Sequence, residues 1–331
     1  MQPTPDFPQS ISRRRFAAAT LALAAAPALV RAQGFPDKPM RILVGFSAGS
    51  PSDVLARAMG EKMSKLLGQP IIIENKPGAG GVLAIKTLLQ APADGHTLLV
   101  VSAAHAAKPA ITRNLGFDPV KDLAGITRIA SVPSILIVNP KLGIGNVREL
   151  LAKLKQTGGT MPYSTPGRGS ANHFAVEQFL AEAGVKATDV PYKGVPEAVS
   201  AVVSGECHFS FIPVPNVLQL VQSERITAVA TSTGTRTKVL PNVPTVAEGG
   251  VPGYVFDPWF GLLTQSAVPP ATLAKLVAAS QTALADPEMR TRFDPIGAEV
   301  NPLAGAQFDK YIQGELTKFK RIAVAAKIES T

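Results

Sequence analysis

One cysteine, Cys207, stands in 331 residues, so an internal disulfide is excluded and burial with hydrogen bonding has to hold the fold. Histidine is nearly as scarce. His96, His105, His173 and His208 lie far apart, and none forms H-E-x-x-H or a Cys/His pair at ligand spacing. A structural zinc site is therefore not expected. No G-x-G-x-x-G follows the first predicted strand and no G-K-[ST] occurs, so no cofactor is expected either. The net charge is +9, yet the basic residues are scattered and aromatics reach only 6%, which excludes a basic stripe interleaved with aromatics. That balance argues against a nucleic-acid partner and suits small anions. Past residue 32 no apolar run approaches the roughly 18 residues that a bilayer span needs, so the mature chain is expected to be soluble.

The N-terminus carries a different pattern. Ser12-Arg13-Arg14-Arg15-Phe16 precedes the apolar stretch AAATLALAAAPALV, and Val30-Arg31-Ala32 offers modest residues around a cleavage point. A charged start, a short apolar core and such a site predict a secretory signal over residues 1–32. The paired arginines before Phe16 also resemble a twin-arginine signal, though three arginines in a row suit the general route equally well. Export by either route places the mature chain in the periplasm.

Beyond the signal, strands and helices alternate. Residues 40–46 form a short apolar run. Ser50-Pro51-Ser52-Asp53 then opens a helix, with Ser50 as N-cap, Pro51 at N1 and Asp53 at N3 closing a capping box on the Ser50 N–H. Leu55, Met59, Met63 and Leu66 give that helix an apolar stripe. Residues 70–74 predict a second strand, 76–81 (KPGAGG) a turn, 82–90 a helix, 97–102 a third strand and 134–138 another. The pattern restarts with helices at 146–154, 170–183 and 196–204, and strands at 161–164, 207–212 and 226–231. An extended crossing at 255–263 and helices at 271–285 and 308–322 complete the chain. Such alternation predicts an α/β fold of two lobes, each a sheet flanked by helices. The chain would leave a first lobe (residues 33–135 plus 256–331), build a second (136–255) and return, with a ligand cleft between them. Two unbroken sequential domains are the alternative.

The segment GFSAG at residues 45–49 matches the G-x-S-x-G nucleophile elbow and raises Ser47 as a catalytic candidate. Against it, the motif follows the first strand, no histidine comes after His208 to complete a triad, and the helix starts three residues beyond the serine. Ser170 and His173 stand three apart at a helix start, but no orienting carboxylate or oxyanion site accompanies them. Cys207 and His208 are adjacent on a predicted strand and so face opposite ways, with Cys207 reading as a small buried residue. No catalytic residue is assigned.

Four glycine- and serine-rich turns remain, at residues 46–53, 77–82, 164–170 and 192–196. In an open α/β sheet such turns gather at the carboxyl ends of the strands, where ligands bind. Their N–H groups, with helix starts behind them, suit an anion. Asp53 is the dissonant group, a negative charge beside the proposed anion; it either caps the Ser50 N–H or orients a water. Phe46, Phe211 and Trp259 are candidates for apolar walls or for plain core.

Several long segments occur in one order: FPDKPMRILVGFSAGSPSDVLAR, IIIENKPGAGG, ADGHTLLV, MPYSTPGRGSANHFAVEQFLAEAG, VPYKGVPEAV and LPNVPTVAEGGVPGYVFDPWFGLL. Together they resemble the periplasmic solute-binding proteins of tripartite tricarboxylate transporters, the Bug (TctC-like) family, over essentially the whole mature chain. The resemblance implies a type II periplasmic-binding-protein fold with hinged closure. It implies that Phe46, Ala48, Gly49, Ser50 and Asp53, with Gly78, Ala79 and Gly80, hold one ligand carboxylate through main-chain groups and water. Thr165, Gly169, Ser170, His173, Lys193 and Gly194 would then decide which ligand is taken. This chain departs from the family pattern at Ser47, where proline is usual, and at Ser50, where glycine is usual. The implied cargo is a di- or tricarboxylate, an acidic amino acid or an aromatic carboxylate, and the implied partner is a membrane permease. A monomeric receptor, not an enzyme, is the expectation. A sensory receptor without transport and a secreted hydrolase using Ser47 are the alternatives.

Overall fold

The computed structural model describes residues 34–328, and the predicted signal at residues 1–32 lies outside them. The chain divides into the units Met1–Asp37 and Lys38–Thr331. Of the first, residues 34–37 are described and carry neither helix nor strand.

In the second unit the first apolar run forms β1 (Met40–Val44) and the capped segment forms α1 (Pro51–Leu67). There follow β2 (Ile71–Asn75), α2 (Val82–Leu89), β3 (Thr97–Ser102), the short α3 (Ala104–Ala107) and β4 (Leu123–Ser131). The next elements are β5 (Ser134–Val138), α4 (Val147–Thr157), β6 (Pro162–Thr165), α5 (Ala171–Ala183) and β7 (Thr188–Pro191). Then come α6 (Val195–Ser204), β8 (Phe209–Pro213), α7 (Val214–Gln222) and β9 (Thr227–Thr231). The last are β10 (Trp259–Gln265), α8 (Pro270–Ala285), α9 (Pro287–Phe293), β11 (Glu299–Val300) and α10 (Ala306–Ala325).

These strands build two sheets, ordered β11-β4-β10-β3-β1-β2 and β7-β6-β8-β5-β9, each flanked by helices in a two-lobed α/β fold. In the first, β1 runs parallel to β2 and β3, while β10 inserts antiparallel between β3 and β4. The chain passes to the second sheet between Ser131 and Ser134 and returns between Thr231 and Trp259. The two connections lie side by side. The Val132 N–H donates to Pro258 O at 3.0 Å, and the Phe256 N–H donates to Ser232 O at 2.8 Å.

Two differences from the sequence expectation have physical causes. All of β4 is buried, although LAGITRIAS carries no strand alternation, because the flanking strands and α10 cover it. Its Arg128 is tolerated there by an ion pair to Asp257 and by the Tyr311 ring, 5.0 Å from the guanidinium carbon. Cys207 and His208 precede β8 instead of lying in it, yet Cys207 is buried as expected, and burial pushes its thiol pKa up.

Of the three aromatic candidates, Phe211 and Trp259 are fully buried core. Trp259 stacks edge-on to Phe308 and donates from Nε1 to Glu315 Oε2 at 3.1 Å. Phe174 of α5 meets Phe319 of α10 edge to face at 4.9 Å between centroids, so one apolar cluster runs from the first sheet to the second. Among the described residues no helix is long and apolar enough to cross a membrane.

Candidate functional site

The turn after β1 is shaped by close backbone approach. A Cβ built on Gly45 would stand 2.6 Å from the Gly81 Cα, so only glycine lets this turn lie against the turn that follows β2. Gly49 takes a left-handed φ of 79°, and Ser50 is the extended N-cap of α1. The predicted capping box forms only in part. Ser50 Oγ accepts from the Asp53 N–H at 3.4 Å, but the Asp53 carboxylate does not return to the Ser50 N–H. That N–H donates to Ser47 O at 3.2 Å.

Asp53 Oδ2 instead accepts from the Gly49 N–H at 2.9 Å and from Arg57 Nε at 3.0 Å. Its Oδ1 accepts from Arg57 Nη2 at 3.0 Å and from Asn75 Nδ2 at 2.9 Å. Burial raises the carboxyl pKa, but Arg57, the Gly49 N–H and Asn75 together outweigh it and hold Asp53 below its ordinary value. The dissonant charge is thus neutralised inside the turn. Asn75 also donates to Phe46 O at 3.0 Å, which ties the end of β2 to the first turn. Ala48 lies on the exposed rim.

In the second turn Gly78, Ala79, Gly80 and Gly81 all have positive φ, and Ala79 does so at 47° without glycine's freedom. Gly81 then starts α2 with no side-chain cap, leaving first-turn N–H donors of that helix uncapped. Gly78, Ala79 and Gly80 are exposed.

The other two turns pair in the same way. The Tyr192 N–H donates to Thr165 O at 2.8 Å where β6 and β7 run parallel. Thr165 is fully buried, its hydroxyl donating to Asp189 Oδ1 at 3.2 Å, and Arg168 Nε meets Asp189 Oδ2 at 2.8 Å. Ser170 caps α5 by accepting from the His173 N–H at 3.2 Å. The His173 ring is buried, and its Nδ1 accepts from the Gly169 N–H at 3.0 Å. The ring's proton then sits on Nε2, 3.8 Å from Glu177 Oε1. Burial lowers the His173 pKa and raises that of Glu177, whose Oε1 also accepts from the Tyr163 hydroxyl. Lys193 is exposed, and Gly194 starts α6 in an extended conformation without a side-chain cap.

One segment touches both pairs of turns. After α3 the chain makes a 3-10 turn, Lys108–Ala110. A Cβ built on Gly80 would lie 2.7 Å from Lys108 Cε, and one on Gly169 would lie 1.9 Å from Ile111 Cδ1. All four turns are thereby brought into one neighbourhood, with the Thr165 and His173 side chains behind the surface and not on it.

Among the described residues no base is hydrogen-bonded to the hydroxyl of Ser47 or of Ser170. Ser47 is exposed, and among the described residues no side chain hydrogen-bonds to its Oγ. The His173 imidazole serves Gly169, not Ser170 Oγ. Among the described residues no group of three or more His, Cys, Asp or Glu could hold a metal ion.

Asn75, Arg57, Asp189, Lys108 and Ile111 belong to no motif that marks them in the sequence. Only Arg57 had a local signal, its i,i+4 spacing from Asp53.

Comparison with known proteins agrees with this architecture. The model of the tripartite tricarboxylate transporter family receptor matches residues 55–328. A Cupriavidus necator protein from the gbd 5′ region is 33% identical over 314 residues, 94% of this chain and 95% of that protein. BugT of Bordetella pertussis is 31% identical over 258 residues, 77% of this chain and 79% of its own. An R. palustris protein solved with adipate superposes with a TM-score of 0.80 at 28% identity, covering 90% of this chain and 100% of that one. MatC from Rhodopseudomonas palustris, solved with bound malate, gives 0.74 at 29% identity over 87% and 99%. The fold and these neighbours define a periplasmic solute-binding protein. Within that class, the chain belongs to the tripartite tricarboxylate transporter receptor family, which includes the Bug proteins.

Proposed function

We propose that this protein is a non-catalytic periplasmic receptor that closes two lobes over a small organic carboxylate and hands it to a membrane permease. The lobes are residues 33–135 plus 256–331 and residues 136–255, hinged at the paired connections around Val132 and Pro258. The observation that supports the proposal is that the segment Lys108–Ile111 touches one turn of each pair, at Gly80 and at Gly169, while the two turns within each pair are fastened together. Phe46, Ala48, Gly49, Ser50 and Asp53 shape one side with Gly78, Ala79 and Gly80. Thr165, Gly169, Ser170, His173, Lys193 and Gly194 shape the other. Adipate and malate in the structural neighbours support the cargo class.

A carboxylate accepting several charge-assisted bonds of about 1.5–3 kcal/mol each, less ordering and desolvation costs, reaches micromolar affinity near −8 kcal/mol. Because the ligand touches both lobes, its binding favours the shut state. The receptor is proposed to act as a monomer after export by the general or twin-arginine route. Calorimetry and thermal shift with adipate, malate, citrate, glutamate and benzoate test it. Saturable binding without turnover, retained in Ser47→Ala, is the expected result; ester hydrolysis abolished by that substitution would sink it.

A further inference from the structure

We propose that the Lys108 ammonium is the side-chain counter-ion for the ligand's anionic end at the first pair of turns, acting beside their amide donors. This rests on the carboxylate-receptor reading above. Lys108 is half-buried, and its aliphatic stem crosses Gly80. From the point where a Gly80 Cβ would stand, Cε lies at 2.7 Å, Nζ at 3.7 Å and Cδ at 3.8 Å. The charge is thus delivered to the rim of the exposed Gly78–Gly80 turn. A side chain on Gly80 would displace it.

Charge matching around the four turns singles this residue out. Arg57 is held by Asp53, Arg168 by Asp189, and Lys76 stands 4.0 Å from Glu74. Among the described residues Lys108 has no carboxylate partner, and neither has Lys193, which is exposed where Lys108 is half-buried. A half-buried ammonium has given up part of its hydration without gaining an ion pair, which is unfavourable until an anion arrives. The segment that carries it also reaches the third turn, through Ile111 against Gly169. An anion drawn to Lys108 is therefore held at the structural link between the two pairs of turns.

A counter-ion and a mere apolar cover for Gly80 predict different chemistry. A counter-ion discriminates a carboxylate from its neutral amide and makes affinity depend on salt. An apolar cover does neither. The experiment is calorimetry on the wild-type protein and on Lys108→Met, Lys108→Gln and Lys108→Arg, with adipate, malate and the matching diamides, at low and high ionic strength. Lys108→Met keeps the stem and Lys108→Arg keeps the charge. The expected result is at least a tenfold loss of acid affinity in the Met and Gln variants, a shallower salt dependence, little change for the amides and near-wild-type acid binding in the Arg variant. Wild-type acid affinity in Lys108→Met, or equal losses for acids and amides, overturns the counter-ion role while leaving the receptor intact. If the wild-type protein binds none of these acids, the receptor reading itself fails and the counter-ion role falls with it.

Discussion

Asn75 Nδ2 donates to Asp53 Oδ1 at 2.9 Å, so the last residue of β2 fastens the carboxylate that braces the turn after β1. The same amide reaches Phe46 O at 3.0 Å. Two chain segments 22 residues apart are thereby fixed in one geometry. A carboxylate that is already paired to Arg57 and to two N–H donors offers little repulsion to the anion proposed to bind there.

Removing that brace leaves donors unpaired. Asp53→Ala is expected to cost about 1–3 kcal/mol of stability in urea denaturation, with Asn75→Ala at the lower end. Adipate or malate affinity should fall at least tenfold in Asp53→Ala. Since the folded-state pKa of Asp53 is held below its ordinary value, its contribution is present above about pH 4 and lost as pH falls through the folded value. An Asp53→Ala variant as stable as the wild type at pH 7 would count against this account.

Gly169 has a left-handed φ of 74° and stands where a Cβ would overlap Ile111 Cδ1 at 1.9 Å. Gly169→Ala should weaken carboxylate binding and lower Tm. Ile111→Ala in the same chain should recover part of the Tm loss, because it removes the clash but not the backbone strain. Additive effects in the double variant would mean that the contact does not couple the two segments.

Gly261 in β10 faces Phe308, with Cζ 2.1 Å and Cε1 2.5 Å from a Cβ position. Phe308 is fully buried against Trp259 and has little room to turn. Gly261→Ala is expected to destabilise by roughly 1–3 kcal/mol through overpacking, read from the urea midpoint.

His105 is buried in α3, where Nε2 donates to Pro119 O at 3.3 Å and Nδ1 has no hydrogen-bond partner among the described residues. Burial drives its pKa from 6.5 down to about 4. Between those values the unfolded chain takes up a proton that the folded chain refuses, so stability falls as pH drops, by up to about 1.4 kcal/mol per unit. His105→Gln should lose roughly 2 kcal/mol less than the wild type between pH 7 and 4.5. Parallel pH profiles for the two proteins would rule this out.

The hydrophobic periods and caps made much of the fold legible. β3 and β5 fall on their predicted residues, and Ser50 and Ser170 cap their helices as local sequence dictates. β4 was not legible, because a strand containing Gly125 and Arg128 looks like a loop until Asp257, 129 residues away from Arg128, supplies the charge partner. The glycine-rich turns were legible as turns. Which of their N–H groups are already engaged was not: Gly49 and Gly169 donate to Asp53 and His173, four residues on in each case.

By itself the sequence determined what depends on neighbours a few residues away: strand and helix periods, caps, the lack of an internal disulfide with one cysteine, and the family motifs. Only the tertiary structure decided where Asn75, Lys108 and Ile111 act, since each meets a turn far along the chain. The physical reason is that hydrogen bonds and packing contacts are set by distance in space, whereas a sequence pattern reports only distance along the backbone.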